Sequence, residues 1–272
     1  MTYLDDLGRE LARVGIRGRL RERILAEAAD HLAQGDESRF GDPGQLARQF
    51  ADELATDCSR RAAFAAFGSL AVAGLGFAAA WLAIASAGFP DIASGAWPPA
   101  GIAAAIGTVV FPQVALAAGL LAIMRALRLR RERRLPAGEI ALLLTRTRTA
   151  LAFGALSMAS LAVTAAEFKT EPWILPAALA LTVPLAAAAF QTRRAAVVKS
   201  SLPGGAGDVF DDLPIALPRN PWLLCAATAA AAALTTFAAA GPNHEGIRNG
   251  IVEVVLVVGG FLALGKRLGL RR

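Results

Sequence analysis

Only two of the 272 residues are cysteine, two are histidine, one is tyrosine and three are methionine. Cys58 and Cys225 are too few for a disulfide framework and lack metal-type spacing. Two histidines, His31 and His244, give no cluster that would hold a zinc ion. Charge is also scarce, at 18% of residues, below the quarter usual in a soluble chain. The basic residues include just three lysines (Lys169, Lys199, Lys266), and the other basic side chains are all arginine. No G-x-S-x-G, Walker A, H-E-x-x-H or paired-cysteine motif occurs, so no enzymatic constellation and no cofactor are expected.

Apolar residues fill the space these absences leave. They make up 55% of the chain, and the mean hydropathy is +0.48. Aromatics are only 7%, so the excess is aliphatic, chiefly Ala and Leu. This composition excludes disordered and collagenous chains and points to an integral membrane protein.

The chain changes character at Arg60-Arg61. Residues 1–61 are charged and amphipathic. The first fifteen carry Asp5, Asp6 and Glu10 and no apolar core of a secretory signal. Leu4, Leu7, Leu11 and Val14 share one face of a helix, as do Leu20, Ile24, Ala28 and Leu32, and again Leu46, Phe50 and Leu54. Asp42, Pro43 and Gln45 form a capping-box-like start for the third helix. Gly15, Gly18 and the stretch Gly35–Gly41 mark the turns. A small cytoplasmic three-helix domain is therefore expected over 1–61, leaning on a partner or on the membrane-proximal surface because so short a segment buries little alone.

A transmembrane domain is expected over 62–272. Six apolar runs occupy Ala62–Ala87, Gly101–Met124, Thr149–Ala166, Trp173–Phe190, Pro221–Ala240 and Gly250–Leu264. Most approach the roughly 20 residues that cross a bilayer core. The third, fourth and sixth runs are short; Ile140–Leu144 are available to extend the third and Ile247 the sixth. Nineteen Lys and Arg fall in the segments assigned to the inside and two, Lys169 and Arg248, in those assigned to the outside. The positive-inside rule then puts both termini in the cytoplasm of a multi-pass protein of the cell membrane. Trp81, Trp97, Trp173 and Trp222 fall mostly near the ends of the runs, as an interfacial belt would.

The elements Tyr3-Leu4-Asp5-Asp6-Leu7, Arg23 to Leu32 with its Asp30-His31-Leu32 end, and Gly41-Asp42-Pro43-Gly44-Gln45-Leu46-Ala47 resemble the HAAS domain, an α-helical signalling module associated with helix-turn-helix regulators. The resemblance covers about a fifth of the chain and none of the apolar runs. It implies a membrane-linked regulatory role, a cytoplasmic protein partner such as a PadR-type winged-helix repressor, and Asp30, His31 and Asp42 on the partner face.

Further polar positions stand out in the apolar part. Glu253 lies in the sixth run, one turn from its outer end, where it either reaches the interface or pairs with Arg248; a proton- or ligand-handling role is the functional alternative. Gln113 and Pro112 interrupt the second run, and Pro176 and Pro184 the fourth. Gln113 fits an interhelical hydrogen bond and the prolines fit kinked packing helices, with a transporter-like broken helix as the alternative. Arg128, Arg130, Arg131, Arg133 and Arg134 suit contact with anionic lipid headgroups. The absence of interleaved aromatics speaks against nucleic acid. Together these readings lead to an all-α, six-span membrane protein with a regulatory or signalling role. A permease or the membrane subunit of an exporter with a separate ATPase chain is the second reading, and a structural assembly factor the third.

Overall fold

A computed structural model describes residues 2–35, 41–87, 98–167, 172–198, 200–206, 222, 225–226, 229–230, 233 and 244–268. Among the described residues there is no strand. The chain divides into two compact units, Met1–Ala206 and Gly207–Arg272.

The first unit holds α1 (Tyr3–Arg13), α2 (Arg19–Gln34), α3 (Pro43–Ala87), α4 (Pro99–Arg128), a 3-10 turn (Leu129–Arg131), α5 (Ala137–Glu167) and α6 (Ile174–Ala195). The starts of α1 and α3 have local causes. Asp5 accepts the Thr2 backbone N–H at 3.1 Å and the Thr2 hydroxyl at 2.7 Å, which fixes the entry to α1. Asp42 accepts the Gln45 backbone N–H at 2.9 Å, and Pro43 supplies the first residue of α3. Between α1 and α2 the backbone turns at Gly15 (φ +95°) and Gly18 (φ +62°), a region where a side chain would be strained.

α3 is 45 residues long. At 1.5 Å per residue it reaches roughly 67 Å, about twice the hydrocarbon thickness of a bilayer. The compositional boundary at Arg60-Arg61 therefore falls inside one uninterrupted helix. Four helices in this unit are long and apolar enough to cross a membrane: those within Pro43–Ala80, Pro99–Arg131, Ala137–Glu167 and Ile174–Ala195. They carry the first four apolar runs, and α5 does take in Ile140–Leu144. Pro112 and Pro184 stand inside α4 and α6, and both helices continue through them. α3 and α5 form the inner pair, with α4 and α6 packed on both of them.

The α1–α2 segment does not stand apart from the bundle. Leu7, Leu11, Ile16, Ile24 and Ala28 share a single core with Ala47, Ala51 and Ala55 of α3, with Leu135, Ile140 and Leu144 around the start of α5, and with Ala195 and Val198 at the end of α6. The fully buried face of early α3 is thus its alanine face. Leu46, Phe50 and Leu54 flank that core and are half-buried. Small side chains let α1 approach α3 closely, which a stripe of Leu and Phe would prevent.

In the second unit the C-terminal helix spans His244–Leu268 and contains a short apolar stretch, Gly250–Ala263. Trp222 packs on Phe261 with ring centroids 5.2 Å apart. Most of the fifth apolar run lies outside the described residues.

Candidate functional site

The densest set of buried polar side chains lies where the N-terminal helices meet the bundle. Arg125 sits in the last turn of α4 and Glu139 in the first turn of α5, and both side chains are more than nine-tenths buried. Arg125 Nε donates to Glu139 Oε2 at 2.9 Å and Nη2 to Oε1 at 2.5 Å. This is the two-pronged pairing that a planar guanidinium makes with a carboxylate. Each charge also lies at the helix end whose backbone dipole favours it. Deeper in α5, the fully buried Arg146 donates from Nη1 to the Leu121 carbonyl of α4 at 3.1 Å.

A second set ties α3 to the two connections beside it. Asp52 is buried, and its carboxylate accepts the Ser201 backbone N–H at 2.6 Å and the Ser201 hydroxyl at 3.1 Å. One turn along, the buried Thr56 hydroxyl donates to the Asp52 carbonyl and accepts the Leu135 backbone N–H at 2.9 Å. Ser200 donates its hydroxyl to the Leu135 carbonyl at 3.1 Å. Ala137 and Gly138 donate backbone N–H groups to the carbonyls of Leu202 and Gly204. The approach at Gly138 leaves no room for a side chain: a Cβ there would lie 2.7 Å from backbone atoms of 204–206. On the outer rim Arg134 pairs with Glu53 at 2.9 Å, and Arg60 donates to the carbonyls of Leu129 and Glu132. Through these bonds Ser200, Ser201, Leu202 and Gly204 are tied into this junction.

The residues singled out in the sequence fall in several places. Asp30 and His31 are exposed at the end of α2, and Asp42 is exposed while capping α3. None of the three lines the groove of about 410 Å³ between α2 and α3, which is formed by Ile16, Leu20, Ile24, Phe50 and Leu54 and rimmed by Arg23, Glu27, Glu53 and Asp57; Asp42 instead borders an opening shared with Asp6, Arg9 and Glu10 of α1. Leu20, read as part of the buried face of α2, is 41% exposed at its edge. Arg128, Arg130, Arg131 and Arg133 are exposed, whereas Arg134 is engaged by Glu53. Gln113 is exposed on the surface of α4 and does not point into the bundle, and Glu253 is half-buried in the C-terminal helix. Among the described residues no group of three or more His, Cys, Asp or Glu is arranged to hold a metal ion.

Compared with models of known protein families, with curated proteins and with solved structures, the chain matches none.

Proposed function

We propose that this chain is a non-enzymatic regulatory protein of the cell membrane. In this reading its bundle responds to the membrane or a small ligand and its N-terminal helices present the outcome to a cytoplasmic protein. The observation that carries the reading is the continuity of α3, which belongs to the α1–α2 core at one end and to the apolar bundle at the other. A rigid helix common to both, fixed at the junction by Asp52 and Thr56, is a mechanical path between membrane and head. The six apolar runs and the basic asymmetry support six spans with both termini in the cytoplasm.

The resemblance of residues 3–47 to HAAS domains supports a PadR-type winged-helix regulator as the partner. The groove between α2 and α3, with Leu20 at its edge, offers the apolar-centred, charged-rim surface such a helical contact requires.

The test uses the full-length chain in cells. Leu20→Asp is expected to abolish two-hybrid capture of a PadR-type regulator and the associated reporter response while leaving membrane insertion intact. Gln113→Ala with Glu253→Ala is expected to change neither. Intact regulation in Leu20→Asp, together with substrate efflux lost in the Gln113/Glu253 variant, would replace this reading with a permease or exporter subunit.

A further inference from the structure

A crevice of about 440 Å³ runs between α5 and α6 on the surface of the bundle. Its floor and walls are small or apolar: Leu151, Ala152 and Ala155 on α5, and Leu185, Ala186 and Ala189 on α6. One end is different. Arg148 from α5 and Arg193 from α6 stand there together, both exposed, and among the described residues neither has a carboxylate partner. Their neighbour Arg194 is already occupied, stacked 4.5 Å from the Phe190 ring. The two guanidinium groups converge from different helices on the mouth of one apolar slot.

Depth fixes what such a slot can take. Arg148 is one turn beyond Leu144, and Arg193 two residues before Ala195, both of which belong to the core shared with α1 and α2. The cationic end of the crevice therefore lies at the end of the bundle where the N-terminal helices pack. From Arg193 back to Thr182 the crevice follows eleven residues of α6, roughly 16 Å along the helix axis. That carries it from headgroup level well into the hydrocarbon layer. The alanines keep it open, since larger side chains at 152, 155, 186 and 189 would fill it.

We infer that this crevice is a binding site for one anionic phospholipid, with its phosphate held between Arg148 and Arg193 and one acyl chain lying in the alanine-lined slot between α5 and α6. Positive charge at the mouth and apolar depth behind it complement the two halves of such a lipid, and basic pockets between membrane helices are a recognised way of holding lipid headgroups. Arg is suited to this because its fork grips two phosphate oxygens. The site is separate from the exposed basic run at 128–133, none of whose arginines lines it.

The test measures phospholipid retained by the full-length protein after purification in a neutral detergent and exposure to mixed phosphatidylglycerol and phosphatidylcholine, read by mass spectrometry. Wild type is expected to retain phosphatidylglycerol in preference. Arg148→Gln with Arg193→Gln is expected to lower that retention roughly tenfold or more, given two near-surface cations, while Arg17→Gln with Arg19→Gln, at exposed positions where the chain enters α2, leaves it unchanged. Ala155→Leu and Ala186→Leu, tested singly at exposed positions, are expected to lower it with both arginines in place. Soluble glycerol phosphate in millimolar excess is expected not to displace the lipid. Undiminished retention in either alanine variant or in the Arg148/Arg193 variant would overturn the site. Displacement by glycerol phosphate would overturn the lipid as its occupant in favour of a free phosphate.

Discussion

Arg125 and Glu139 face each other through two hydrogen bonds, fourteen residues apart in the chain and each more than nine-tenths buried. The pair closes the α4–α5 connection. Taking both charges out of water is costly, and their attraction repays it only because the geometry is two-pronged. Breaking the pair from one side is therefore the informative change. Glu139→Ala is expected to cost about 3–5 kcal/mol, while Arg125→Met with Glu139→Leu returns close to the parent stability. Thermal unfolding in detergent separates the two outcomes, and equal losses in both variants would mean the pair is not held as a unit.

The hydrogen bonds from Ser201 to Asp52 predict how residues 200–206 behave. Asp52→Ala removes the carboxylate that holds the Ser201 N–H and hydroxyl, and because Ser201 is exposed water can replace it, so the loss is about 1 kcal/mol. The segment is expected to exchange its amide hydrogens faster and to become a site of limited proteolysis, with the apolar helices unaffected. Unchanged protection of 200–206 would show that the backbone bonds from Ala137 and Gly138 suffice.

Topology is checked in a chain whose Cys58 and Cys225 are replaced by Ala. Single cysteines at Ser94 and Asn243 are expected to react with an impermeant thiol reagent in intact cells, and one at the exposed Ala206 is expected not to react. Labelling at 206 with none at 94 would reverse the orientation.

Asp5 gives a pH-dependent prediction. The Thr2 hydroxyl and backbone N–H hold its carboxyl below the ordinary value of 3.8. A depressed folded value means the carboxylate supports the start of α1 above its unfolded value, and that support fades as pH falls through the folded value. An NMR titration is expected to show Asp5 titrating low in the parent and returning toward 3.8 in Thr2→Ala.

The starts of α1 and α3 and the first four apolar runs are legible in the sequence because their causes are local, whereas the continuity of α3 across Arg60-Arg61 is not. The apolar spacing of α1, the Asp42-Pro43 start of α3 and the length of the apolar runs need no knowledge of the rest of the chain. The junction was not readable. Arg125 looks like one more member of a basic run, and nothing in the sequence separates it from Arg128 until a buried carboxylate is set against it. Ser201 and Asp52 are 149 residues apart, with no period linking them. The half-buried Phe50 shows the same limit: periodicity found the right helix but favoured its larger side chains over Ala47, Ala51 and Ala55, which pack closest.

The unbroken α3 has an angular consequence. Each residue of a helix turns the chain by about 100° and advances it about 1.5 Å. Asp52 and Thr56 fix the azimuth of one end against Ser201 and Leu135, and the buried Ala80 packs the other against Leu161 and Ile174. One alanine inserted after Arg61 would swing the head out of phase with the bundle by more than a quarter-turn, so the two sets of contacts could not both survive. Seven inserted alanines would bring the phase back to within about 20° while lifting the head by roughly 10 Å. Rotation and height, which a flexible linker would leave undefined, are in this molecule set together by residue count.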